Sequence, residues 1–457
     1  MGLSPMYLFV KQIARGITRL ESLLLVIMLI AFWYPDPRRV WALVLLIPIL
    51  AARWIARGRL WTPTRMDNVW LAFMGLCLLN IVVADSGVVG GQDNTLPFTR
   101  GLMMLGRPIL GIVLTSALVE SVRLRGDMRR STWALIALGM LVAILSVGAS
   151  AWSEKSDQLR FLIDPLPRLP NWDMIRGGFN VNEIGGVLAT LVPLMAGIAL
   201  SAAHPTQRRA AAVVFWIGLF GAMMGQSRLA IGGIIAALFV VSVLLIPAGR
   251  RRALAIAGVA LLTIIELIIL SEILATGQAT ISDRDEGSWR ARLYIWESAL
   301  DMTVDYPLTG VGLNMFRDGR VRARYPVVGY ETQVLPHAHN EWLQLAADMG
   351  IPGVLMFTGW YGVLTLLLWR LWRRGDAPTR GIAAACAAGL LAHAIFGLAD
   401  AIPLWDRFAF VHYAITGLIL AQYRHFTHRG EDRVMLRENK GETVFLWRKT
   451  NATSFDG

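Results

Sequence analysis

Apolar residues in this chain gather into long, nearly uninterrupted runs, broken by short basic or glycine- and proline-containing segments. A helix needs about 17–20 such residues to cross a hydrocarbon core of roughly 30 Å. The runs predict about twelve membrane helices, at residues 20–34, 40–56, 68–84, 102–119, 132–150, 183–203, 210–225, 229–247, 253–271, 351–371, 381–399 and 407–423. The expected fold is an all-α polytopic membrane protein with a large, partly helical periplasmic loop, residues 272–350, between the ninth and tenth spans. The expected division is a transmembrane bundle over 1–423, loop included, and a cytoplasmic tail over 424–457. The run from Ser22 to Trp33 follows three basic residues like a signal peptide. Tyr34-Pro35-Asp36-Pro37 is not a small-residue cleavage site, so the run reads as a retained first span.

Composition supports this reading: 55% of the 457 residues are hydrophobic and only 17% are charged. The net charge of +12 then describes orientation rather than nucleic-acid binding, because basic residues collect on the inner loops of such proteins. Of the 44 Lys and Arg, 27 lie in segments sharing a side with the termini and 17 on the other side. Short loops decide the matter, since 123–130 and 250–252 are basic while 84–99 and 399–406 carry no basic residue before Arg100 and Arg407. Both termini are therefore expected in the cytoplasm, in what would be the bacterial inner membrane. The two cysteines, Cys77 and Cys386, sit inside apolar runs and suggest neither a disulfide nor a metal site.

Charge inside a span changes the picture, because each such group must be paired or solvated. Arg107, Glu266, His393 and Asp400 fall in the outer halves of their spans, and Arg228 opens the eighth. Their shared depth predicts an outward-facing polar cavity, with no matching set in the inner half. Transporter sites usually lie nearer the midplane. The outward basic residues are mostly Arg, whose guanidinium forks suit phosphate.

In the long loop, Leu293, Trp296, Leu300 and Thr303 recur at helical spacing, predicting a helix over about 288–304 with that apolar face. Arg290 and Arg292 stand near its start, where positive charge opposes the helix dipole and calls for an anionic partner. The stretch from Pro336 to Gly353, PHAHNEWLQLAADMGIPG, follows. His337 and His339 point the same way if extended. Asn340 caps a short helix with Trp342, Leu345, Ala346 and Met349 on one face and Glu341, Gln344 and Asp348 on the other. Gly350 ends it, and Pro352 opens the next span. His339 has three readings: a general base, a structural residue at the membrane interface, or a zinc ligand with His337 and Glu341. The last lacks a complete ligand set.

His339-Asn340, nine residues, Gly350, two residues, Gly353 resembles the pattern of bacterial O-antigen ligases. Arg292-Leu-Tyr-Ile-Trp296, Pro307-Leu-Thr-Gly-Val-Gly312, Ser227-Arg228 and Asn180-Val-Asn182 resemble segments of the wider ligase and polymerase superfamily; the likeness covers roughly 175–370. It implies inverting transfer at the periplasmic face, from an undecaprenyl-diphosphate-linked polysaccharide to a sugar hydroxyl of lipid A-core. His339 would be the base, and Arg228 and Arg292 would bind the diphosphate, with Arg290 a competing second arginine. His337, Asn340, Arg107 and Asp400 are further candidates. No cofactor or metal is implied, and the partners are lipid-borne substrates and membrane lipids. A polysaccharide polymerase and a protein O-oligosaccharyltransferase share these segments. A lipid-linked-sugar transporter is the reading from a different class.

Overall fold

The computed structural model describes residues 5–31, 43–85, 97–125, 128–149, 179–225, 227–275, 289–331 and 335–438. Every predicted span has a helix at its position: α1 (Pro5–Ala31), α2 (Leu46–Arg57), α3 (Asp67–Asp85), α4 (Pro97–Arg125), α5 (Arg129–Ala149), α6 (Val181–Ser201), α7 (Pro205–Gly225), α8 (Arg228–Leu245), α9 (Arg250–Ala275), α12 (Glu341–Arg374), α13 (Ala377–Phe396) and α14 (Phe410–Glu438). The loop between α9 and α12 adds α10 (Trp289–Asp305) and α11 (Gly319–Arg324). The protein is thus an all-α polytopic membrane protein. Eight helices, α3 to α8, α12 and α13, are long and apolar enough to cross a membrane over their described residues. The 12-residue α2 would rise only about 18 Å at 1.5 Å per residue, well short of the core thickness. The last helix runs on to Glu438, past the end expected at Tyr423.

The bundle is held where small residues admit close approach. α6 packs against α7, α8 and α13, and α4 against α14. Trp360 on α12 sits fully buried against Trp70 and Tyr413, with ring centroids 4.4 and 5.4 Å away, and donates to Thr416 Oγ1 at 3.1 Å. That bond matters because an indole N–H without a partner costs free energy in an apolar interior. Both cysteines are free and buried.

The long loop has a core of its own. Ala291, Ile295, Ala299 and Met302 on α10 pack with Val311, Phe316, Tyr325 and Leu335. This corrects the expected packing face, since Leu293 and Leu300 stand about half exposed. α10 carries two apolar stripes. The one with small residues fits against the folded loop, and on the bulkier one Leu293 and Leu300 face outward.

A second correction concerns buried charge. Glu21, Arg53 and Glu120 are almost wholly buried at the other end of α4 from Arg107. Arg53 donates to Glu21 and to Ser116 Oγ, and Arg59 to Glu120 at 3.2 Å. The half expected to lack buried charge therefore has a paired set. Each member stands near the end of a predicted span and reads in sequence as solvated. The transporter reading accordingly loses one argument against it.

Candidate functional site

His337 and His339 meet Asp400. His339 Nδ1 lies 3.4 Å and His337 Nε2 3.6 Å from the same oxygen, Asp400 Oδ1. The two rings are edge to face at 4.4 Å between centroids, and His339 and Asp400 are buried. Asp400 lies beyond α13, in the 397–409 turn, rather than within a span.

Local chemistry explains how the turn and the histidines find each other. Asn340 caps α12 as expected, its Oδ1 accepting from the N–H groups of Trp342 and Leu343 at 3.0 Å. Its Nδ2 donates to Leu398 O at 2.8 Å, Glu341 N–H donates to Gly397 O at 2.9 Å, and Ile402 N–H donates to Glu341 Oε2 at 2.7 Å. Three consecutive ties therefore clamp the turn carrying Asp400 to the start of α12.

On the other side, the expected polar face of α12, Glu341, Gln344 and Asp348, is buried. Phe316 N–H donates to Asp348 Oδ1 at 2.8 Å, Gln344 Nε2 donates to Asp348 Oδ2 at 2.6 Å, and Ala338 N–H donates to Gln344 Oε1 at 2.6 Å. Ala338 is the residue between the two histidines, so this relay fixes their backbone. His339 itself adopts φ +46°, a conformation uncommon for a residue with a side chain. Trp296 Nε1, 3.2 Å from His339 O, supports it there. Strain retained by surrounding contacts is typical of functional positions.

Gly350 and Gly310 explain the spacing of the two glycine-bearing segments. Gly350 has φ +66° and breaks α12 where a stop was expected; Gly310 has φ +60°. A Cβ on Gly350 would meet Pro307 O at 2.6 Å, and one on Gly310 would meet Ala347 O at 2.4 Å. Between them, Val311 N–H donates to Ala347 O and Ile351 N–H to Pro307 O, both at 2.8 Å. The two segments interlock backbone to backbone, which only glycine permits.

Electrostatics distinguish the histidines. Burial pushes His337 down to about 3, helped by the neighbouring His339, Arg317 and Arg292 charges. Its Nδ1 accepts the His339 backbone N–H at 3.2 Å, so the proton of the neutral ring sits on Nε2, toward Asp400. Both ring nitrogens of His339 are buried without a hydrogen-bond partner among the described residues, Nδ1 lying 3.4 Å from Asp400 Oδ1. Burial would raise the Asp400 carboxyl, but the adjacent His339 ring and the Arg292 charge outweigh it. Asp400 is held below the usual carboxylate range.

Of the arginines, Arg292 is half-buried on the first turn of α10, close enough to act on both His337 and Asp400. The Arg290 side chain lies outside the described residues, as does that of Glu266. Arg228 is exposed at the start of α8, and no contact among the described residues joins it to the histidines. Arg107 is buried and donates to Trp405 O at 3.1 Å, anchoring the far end of the 397–409 turn. Arg407 in the same turn pairs with Glu183 on α6. His393 is buried beside His412, with its Nδ1 3.3 Å from Thr190 Oγ1, and belongs to the helix interior. The sequence reading missed Arg317, an exposed side chain whose charge reaches His337. Its only signal was its place among the outward arginines of the 272–350 loop.

Two chemistries suit the cluster. His337, His339 and Asp400 each offer a ligand atom within 4.8 Å of the others, so they could hold a metal ion; Asp400, not Glu341, completes that set. Alternatively, a carboxylate oriented to one nitrogen of a neutral imidazole leaves the other free to take a proton, the usual arrangement of a general base. Residues 213–358 match the family model described as O-antigen ligase, a stretch that contains Arg228, Arg292 and His339. Comparison with curated proteins finds no match for the chain.

Proposed function

With the chain taken as a member of the O-antigen ligase and polymerase superfamily, we propose that it is an O-antigen ligase acting at the periplasmic face of the bacterial inner membrane. The donor is a polysaccharide on undecaprenyl diphosphate and the acceptor a sugar hydroxyl of lipid A-core. The observation that carries this reading is the His339–Asp400 pair beside Arg292.

In the proposed step, the acceptor oxygen attacks the anomeric carbon from the face opposite the diphosphate. Its proton passes to His339 Nε2, while the glycosidic C–O bond breaks and its electron pair leaves with the diphosphate. Asp400 holds His339 Nδ1 and stabilises the imidazolium as it forms. Negative charge grows on the departing diphosphate, where fixed guanidinium groups help most. Arg292 is the first of these and Arg228 the second, the latter reaching the lipid from the start of α8. Arg290 remains a candidate beside Arg292. A lipid diphosphate is already a good leaving group, so neither a metal nor a nucleotide is required. The distribution of Lys and Arg supports the periplasmic placement and cytoplasmic termini.

His339 is favoured over His337 as the base because His337 Nδ1 is occupied by a backbone donor and its Nε2 carries the proton. The lipopolysaccharide of a strain lacking this gene tests the assignment. A ligase deficiency leaves bare core and long polymer stranded on its carrier. Core bearing a single repeat unit identifies a polymerase instead, and unchanged lipopolysaccharide with altered glycoprotein identifies a protein oligosaccharyltransferase.

A further inference from the structure

A cavity of about 1050 Å³ lies away from the histidines, among α1, α2, α4 and α5. Its two long walls change character in the same direction. On α1, Arg15 and Arg19 give way to Leu23 and Ile27; on α5, Arg130 and Trp133 give way to Leu138 and Leu141. The floor is Ala117 and Leu118 of α4, small enough to leave a groove.

Hydrogen bonds set the walls in register. Arg53 joins Glu21 on α1 to Ser116 on α4, and Ser121 on α4 meets Ser131 on α5 at 2.9 Å. Ser116 and Ser121 are five residues apart, about 7.5 Å along a helix; Arg15 precedes Glu21 by six, about 9 Å. The basic ends of both walls therefore fall at one level. There the lining holds four arginines, Arg15, Arg19, Arg57 and Arg130, against one acid, Glu21. Glu21 is already satisfied by the buried Arg53 and by Arg57 at 3.4 Å. Arg15, Arg19 and Arg130 have no ion pair among the described residues.

We propose that this groove binds an anionic phospholipid of the surrounding leaflet. Its phosphate sits among Arg15, Arg19 and Arg130, and its acyl chains lie along Leu23, Ile27 and Leu141. The occupant must be both anionic and apolar, in that order along the groove, which a phospholipid is and a soluble anion is not. Basic pockets between membrane helices are known sites for such headgroups. Trp133, at the change from basic to apolar lining, stands where interfacial aromatic residues do. The proposal is independent of the transfer chemistry.

The test is native mass spectrometry of the purified full-length protein, exposed to equal amounts of phosphatidylglycerol and phosphatidylcholine with identical chains. The wild type should retain phosphatidylglycerol at least about fivefold more, the factor for roughly 1 kcal/mol per basic residue near a membrane. Replacing Arg15, Arg19 and Arg130 together by Gln should abolish the preference, and replacing them by Lys should keep most of it. No preference in the wild type, or full preference in the folded Gln variant, would overturn the proposal. Displacement of the lipid by inorganic phosphate at equal concentration would also overturn it, by assigning the site to a free anion.

Discussion

Asp400 Oδ1 stands 3.4 Å from His339 Nδ1, although 60 residues and two whole helices, α12 and α13, separate them in sequence. The pair exists because Asn340 and Glu341 clamp the 397–402 turn to the start of α12. In the proposed mechanism, the carboxylate selects the tautomer that leaves His339 Nε2 basic. Asp400→Asn keeps the shape and removes the charge. Its kcat for transfer to lipid A-core should fall by about 10² or more, with KM little changed. An unchanged kcat would separate Asp400 from the chemistry.

His337 gives the site a pH signature in stability. Its folded-state value is pushed down to about 3, against about 6.5 when unfolded. The unfolded chain thus binds the proton more readily between those limits. The stabilisation is complete above about pH 6.5 and is lost as pH falls toward about 3. The thermal midpoint in detergent should drop over this window, and drop less steeply in His337→Asn. All other side chains are common to both proteins, so the difference in slope isolates His337. Parallel curves would contradict the assignment.

The relay from Phe316 to Ala338 has a fixed polarity, because a backbone N–H donates into each end. Asp348→Asn replaces one acceptor with a donor, and turning Gln344 over only moves the mismatch to Ala338. One buried donor pair must then remain unsatisfied. Unfolding should become easier by about 1–3 kcal/mol, and transfer should slow as the segment holding His339 loosens. Wild-type stability and rate would show that the relay is dispensable.

Gly350 and Gly310 should tolerate no side chain. Gly350→Ala adds a Cβ 2.6 Å from Pro307 O at a positive φ, so about 1–3 kcal/mol of stability should be lost. Gly359→Ala, later in the same helix with open space around its Cα, should stay within about 0.5 kcal/mol. Equal effects in chemical or thermal unfolding would deny the interlock.

How legible all this was in sequence depended on distance along the chain. The Asn340 cap, the stop at Gly350 and α10 were readable because caps, glycines and helical spacing are local signals. The shared face of Glu341, Gln344 and Asp348 was readable too, but not its burial. That required the 307–316 segment to fold over it, an event without local trace. For the same reason the packing stripe of α10 was misassigned to Leu293 and Leu300. Asp400 was found by asking why an acid stands at a span end, and its pairing with both histidines came only with the fold. The Glu21–Arg53 network escaped notice because charges near the ends of predicted spans look solvated until their partners appear.

The central claim is that His339, and not its neighbour, takes the acceptor proton. The direct measurement is the initial rate of glycan transfer from purified lipid-linked donor to lipid A-core by His339→Ala and His337→Ala, both confirmed folded. The account predicts a loss of about 10²–10⁴-fold for His339→Ala, the range of general-base catalysis, and a smaller loss for His337→Ala. A near-normal rate for His339→Ala, or an equal or larger loss for His337→Ala, would contradict it.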